Sequence, residues 1–85
     1  MKEFTYTITD PLGIHARPAG LFVSCAKAYS SQITICKEER CADAKRLLSV
    51  MGLGIRVGDT IRICIDGADE AAAAEGVQSF CQKHL

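Results

Sequence analysis

Thr60-Ile61-Arg62-Ile63-Cys64-Ile65-Asp66 alternates without a break, with isoleucines on one side and threonine, arginine, cysteine and aspartate on the other. A period of two sends successive side chains to opposite faces of an extended chain, so this segment predicts a β-strand with one buried and one wet face. Gly58-Asp59 leads into it and Asp66-Gly67 leads out, both turn-forming pairs. The same alternation opens the chain, where Phe4, Tyr6 and Ile8 oppose Thr5, Thr7 and Thr9, until Asp10-Pro11-Leu12-Gly13 breaks it. Gln32 to Cys36, with Ile33 and Ile35 facing one way, predicts another strand. Lys37-Glu38-Glu39-Arg40 is a polar turn, and a short strand follows near Cys41. Strands of this kind form a sheet covered on one side only.

Between the strands the period changes. From about Arg17 to Tyr29, the residues Leu21, Phe22, Cys25, Ala26 and Tyr29 recur at helical spacing. Pro18 suits the first turn, where a missing amide donor costs nothing. Lys45 to Met51 predicts one or two helical turns, stopped by Gly52 or Gly54. A last helix runs from Glu70 to about Lys83, with Asp69 as its expected N-cap and Ala73, Val77, Phe80 and Cys81 as its buried stripe. The order β-α-β-β-α-β-α with half-buried strands predicts a two-layer α+β fold on a mostly antiparallel sheet.

The chain has 85 residues, and one domain, 1–85, is all it can build around a core. Its ten basic and ten acidic side chains cancel. That balance argues against a basic stripe of the kind that displaces counterions from nucleic acid, and against a polybasic membrane patch. Only five aromatic residues are present, few for a surface that stacks bases. No apolar run approaches the roughly 20 residues that cross a bilayer, and the N-terminus has no signal-peptide core. The expectation is a soluble, cytoplasmic monomer without metal or cofactor. Cysteines stand at 25, 36, 41, 64 and 81 with no Cys-x-x-Cys pair, which predicts reduced thiols used as small hydrophobes. Cys36 and Cys41 flank the hairpin, close enough for adventitious bridging on oxidation.

Gly13-Ile14-His15-Ala16-Arg17-Pro18-Ala19 carries the chemistry. His15 falls between a glycine-relieved loop and a helix start, where amides without internal partners carry partial positive charge and receive phosphate readily. Arg17 adds a permanent cation with several donors. Both features favour the uncharged imidazole, a nucleophile beside an anion receptor. Phosphoryl transfer asks a protein chiefly for positioning and charge stabilisation. His84, the other histidine, reads as a solvated residue near a helix C-terminus.

This stretch resembles the active-site signature of the HPr family, the histidine-containing phosphocarriers of the bacterial sugar phosphotransferase system. The likeness extends over the whole chain, with a second matching stretch at Lys45-Arg46-Leu47-Leu48-Ser49-Val50-Met51-Gly52-Leu53-Gly54-Ile55. The resemblance implies an open-faced β-sandwich, four antiparallel strands beneath three helices. It implies that His15 takes a phosphoryl group on Nδ1 from enzyme I, charged by phosphoenolpyruvate, and passes it to enzyme IIA domains. Arg17 and the amides at Ala16 and Arg17 would steady that group. Ala16 in place of a threonine is similar to Gram-positive members. Gly20 stands where the family often has Thr or Ser. Arg46 stands where many Gram-positive members carry a serine that a dedicated kinase phosphorylates. Arg46 has no hydroxyl and Ser49 is no obvious substitute, so the resemblance implies a carrier that this switch cannot silence.

Leu47, Leu48, Met51 and Leu53 form a larger apolar cluster than one short helix needs, and Leu47, Val50 and Leu53 are the expected buried members. The remainder, with Ala16, Gly20 and Leu21, would make an apolar patch beside His15, of the sort that marks partner sites. Arg17, Ser24, Lys27, Lys45, Arg46 and Arg56 would rim it and favour acidic partners met fast and briefly. A second reading is a regulatory binding module of the same fold, controlling a kinase or transcription factor.

Overall fold

The computed structural model describes residues 1–85. Its elements are β1 (Lys2–Thr7), α1 (Ala16–Lys27), β2 (Gln32–Lys37), β3 (Arg40–Asp43), α2 (Leu47–Met51), β4 (Thr60–Asp66) and α3 (Glu70–His84). The strands form one sheet in the order β1-β4-β2-β3, with every neighbouring pair antiparallel. The strongly alternating segment is therefore β4, an inner strand paired on both edges. Its register sets Ile61 against Tyr6 and Lys37, and Ile63 against Phe4 and Ile35.

Ile61, Ile63 and Ile65 of β4 and Ile33 and Ile35 of β2 are fully buried. Each such side chain contributes about 1.5–3 kcal/mol when withdrawn from water. Phe22, Val23 and Ala26 of α1, Val50 of α2, and Ala73, Val77 and Cys81 of α3 meet them in one core. The opposite face is uncovered, and there Thr7 and Thr60 share a hydroxyl hydrogen bond of 2.9 Å. This is the open-faced α+β sandwich of four antiparallel strands and three helices that the resemblance implies.

Several local expectations need correction. Helix α2 begins at Leu47 because the chain is still extended at Arg46, with φ −121° and ψ 110°. The Asp43 side chain and carbonyl hold the Lys45 and Arg46 amides in a turn instead. Val50 and Leu53 are buried as expected, but Leu47 is 41% exposed. Asp69 precedes α3 without capping it. Its carboxylate accepts from the Ser30 and Ser31 amides at 2.9 Å each and from the Ser31 hydroxyl, tying the end of α1 to the start of α3. Those bonds hold the Asp69 carboxyl down at about 2, the Ser31 hydroxyl contributing most.

The thiols are not all free. Cys36 and Cys41 form a disulfide, while Cys25, Cys64 and Cys81 are unbridged. The physical reason is register: the two residues stand directly opposite each other on β2 and β3, with Cα atoms 4.0 Å apart. No helix is long and apolar enough to cross a membrane.

Candidate functional site

The loop between β1 and α1 is set by a few main-chain ties. Asp10 accepts from the Leu12 amide through its side chain and from the Gly13 amide through its carbonyl, both at 2.9 Å. Gly13 adopts φ +65°, and a Cβ there would stand 2.6 Å from the Ile55 oxygen and 2.8 Å from the Arg56 Cα. Only glycine allows that approach. It lets the Ile14 amide reach the Ile55 carbonyl at 3.1 Å and seats Ile14 in the core. The next residue, His15, is thereby delivered to the N-cap of α1, extended and exposed, with no capping bond from its side chain.

The first turn of α1 leaves a specific set of donors open. The Ala19 amide is used by the His15 carbonyl at 2.9 Å, and Pro18 has no amide hydrogen. The free donors beside His15 are thus the amides of Ala16 and Arg17. The exposed Arg17 side chain adds its guanidinium. A cavity of about 300 Å³ opens here, lined by Asp10, His15, Arg17, Pro18, Leu21 and His84. His15, Arg17 and Leu21 were expected at such a site. Asp10, Pro18 and His84 were not assigned to it. Pro18 sits one turn along from His15, so sequence adjacency could have included it. His84 comes from the far end of the chain, and no local signal links it to His15.

Most of the other residues expected at a docking surface are exposed. Leu21, Leu47, Leu48 and Met51 are exposed to 44%, 41%, 83% and 39%. Ala16, Ser24, Lys27, Arg46 and Arg56 are exposed, and Gly20 is half-buried. Lys45 departs from the expected rim: it is half-buried, and its Nζ donates to the Tyr29 carbonyl at 2.7 Å. It fastens the loop before α2 to the segment after α1. Two further cations brace the loop after α2. Arg40 donates to the Gly52 carbonyl at 2.7 Å, and Lys37 donates to the Gly54 carbonyl at 3.0 Å while pairing with Asp59 at 2.9 Å. No group of histidine, cysteine and carboxylate side chains is assembled to hold a metal ion.

The profile described as "PTS HPr component phosphorylation site" matches residues 2–83. The phosphocarrier protein HPr of Lysinibacillus sphaericus is 42% identical over 80 residues, 94% of this chain and 91% of that protein. The crystal structure of HPr-C-His from Thermoanaerobacter tengcongensis is similar at a TM-score of 0.94 and 36% identity, covering 99% of this chain and 94% of that one. An HPr dimer from the same organism matches at a TM-score of 0.78 and 36% identity, over 98% and 95% of the two chains. A fold, a curated relative and a family profile that agree along almost the full length leave one assignment: the chain belongs to the HPr family of the phosphotransferase system, the phosphocarriers.

Proposed function

We propose that His15 is the phosphoryl acceptor, taking the group on Nδ1 from enzyme I and yielding it to enzyme IIA domains. The observation that carries this reading is the exposed, uncapped imidazole of His15 beside the open Ala16 and Arg17 amides and the Arg17 guanidinium. The Nδ1 lone pair forms the N–P bond as the bond from phosphorus to the donor breaks. That bonding pair stays with the donor, which takes up a proton as one leaves the other ring nitrogen of His15. Arg17 and the two amides face the phosphoryl oxygens, whose charge is about −2. Transfer onward repeats the exchange in reverse. The chain is then a protein substrate with a covalent intermediate rather than an enzyme with turnover of its own, and it needs no cofactor.

The docking surface in this reading is Ala16, Gly20, Leu21, Ser24, Lys27, Arg46, Leu47, Leu48, Met51 and Arg56. Donor and acceptor use it in turn, which suits a monomer and a small, quickly released interface. One domain, 1–85, carries the whole function, in the cytoplasm where phosphoenolpyruvate is made. Incubation with phosphoenolpyruvate and enzyme I, followed by intact-mass measurement, tests it. The expected outcome is a gain of one acid-labile phosphate, absent from His15→Ala. A phosphate retained by His15→Ala would overturn the assignment.

A further inference from the structure

His84 ends α3 and lines the same cavity as His15 and Arg17. Its ring is held in place from behind. The imidazole stacks on Phe80 with centroids 4.6 Å apart, and Phe80 in turn meets the buried Phe22 ring of α1 at 5.9 Å. The end of the helix is also fastened to the loop that carries His15. The main-chain oxygen of Leu85 accepts from the Thr9 and Asp10 amides at 2.7 and 2.8 Å and from the Thr9 hydroxyl at 3.3 Å. Leu85 itself is buried. Two imidazoles from opposite ends of the chain thus share one small cavity with a fixed geometry between their supports.

The charges around that cavity give the second imidazole its part. The groups facing His84 are Asp10 from the loop after β1, and His15 and Arg17 from the start of α1. On its own helix the neighbour in sequence is Lys83, which is exposed. Arg17 and Asp10 carry opposite unit charges, so Asp10 offsets part of the attraction that Arg17 and the amides offer a phosphoryl dianion. An imidazolium at position 84 turns the balance positive on the side of the cavity facing α1. Histidine is the side chain whose charge changes in the physiological range, so this contribution varies with pH where that of Arg17 does not.

We propose that His84 is a phosphoryl-positioning residue: in its protonated form it faces the phosphoryl group on His15 and favours the phosphorylated state, more strongly as pH falls. This rests on His15 being the acceptor. Linkage makes the effect reciprocal, so phosphorylation of His15 should also make His84 hold its proton more tightly.

Two measurements test it. The first is the phosphorylated fraction at equilibrium with a limiting phosphoryl donor, for the protein, His84→Gln and His84→Lys. At about pH 6 the glutamine variant should hold about 2–5-fold less phosphoryl group relative to the unmodified form, the size of a partly exposed ion pair, and at about pH 8 the two should agree. The lysine variant should match or exceed the protein across the range. Parallel profiles for the protein and His84→Gln would overturn the proposal. The second needs no variant: the proton NMR titration of the His84 ring should move to higher pH when His15 is phosphorylated, and an unmoved titration would overturn it. The two readings fail differently. If the protein takes up phosphate and His15→Ala does not, the acceptor stands and only His84 is at issue; if His15→Ala still takes it up, both fall.

Discussion

Gly20 lies inside α1, half-buried, with no atom within 4 Å of where a Cβ would project. Glycine costs a helix interior about 1 kcal/mol relative to alanine. Gly20→Ala should therefore raise the melting temperature, by about 4–8 °C for a domain of this size. Gly13 is the opposite case, since its φ of +65° and its approach to Ile55 and Arg56 leave no room for a methyl group. Gly13→Ala should lower the melting temperature and displace His15; an unchanged melting curve for either variant would contradict this account. The thiols also divide at this scale. Burial, with a smaller push from Cys25, takes the Cys81 thiol up to about 12, and burial raises Cys25 as well. Neither supplies a thiolate at neutral pH, so both serve as packing groups.

The tie made by Asp69 joins two helix ends, and its acid sensitivity follows from the bonds it accepts. Folding lowers the proton affinity of this carboxyl from 3.8 to about 2. Its stabilisation is present above the unfolded value and is lost as pH falls from about 4 toward 2. Asp69→Asn should melt lower than the protein at neutral pH, and the gap should close across that acid window. Thermal scans at a series of pH values decide it, and a gap independent of pH would refute it. Asp69 also marks what sequence could and could not disclose. The strands were readable because alternation and glycine-flanked turns are local signals, and β4 runs from Thr60 to Asp66 as its pattern predicts. The partner of Asp69 is Ser31, far back in the chain. A short acidic residue before a helix reads as a cap whether or not a better set of donors waits elsewhere. His84 is the exposed residue at a helix C-terminus that the sequence predicts, but its place in the cavity has no local signal, because its neighbours there belong to the β1–α1 loop and the start of α1. Leu47 lies at the surface because α2 is a short helix that buries only Val50 of its five residues.

At the scale of the whole molecule, a net charge of zero still leaves individual cations at the surface. Arg17, Lys27, Arg46 and Arg56 are all exposed, as are Leu21, Leu47, Leu48 and Met51, the cations and apolar residues of the proposed docking surface. Charge at a rim acts mainly on encounter rate and is screened by salt. Arg46→Glu should slow phosphoryl transfer from enzyme I by about 3–10-fold at low salt, with the difference shrinking as salt is raised. Stopped-flow transfer rates at several ionic strengths check this, and equal rates at low salt would count against it. The bridge between Cys36 and Cys41 bears on the loop after α2. It staples a tight hairpin that carries Lys37 and Arg40, whose side chains grip the carbonyls behind α2. A milieu rich in thiols, as in cytosol, would unfasten that staple. The slack would reach the loop after α2, which Lys37 and Arg40 brace, before it reached the isoleucine layers beneath, so that loop would loosen while the scaffold stayed intact.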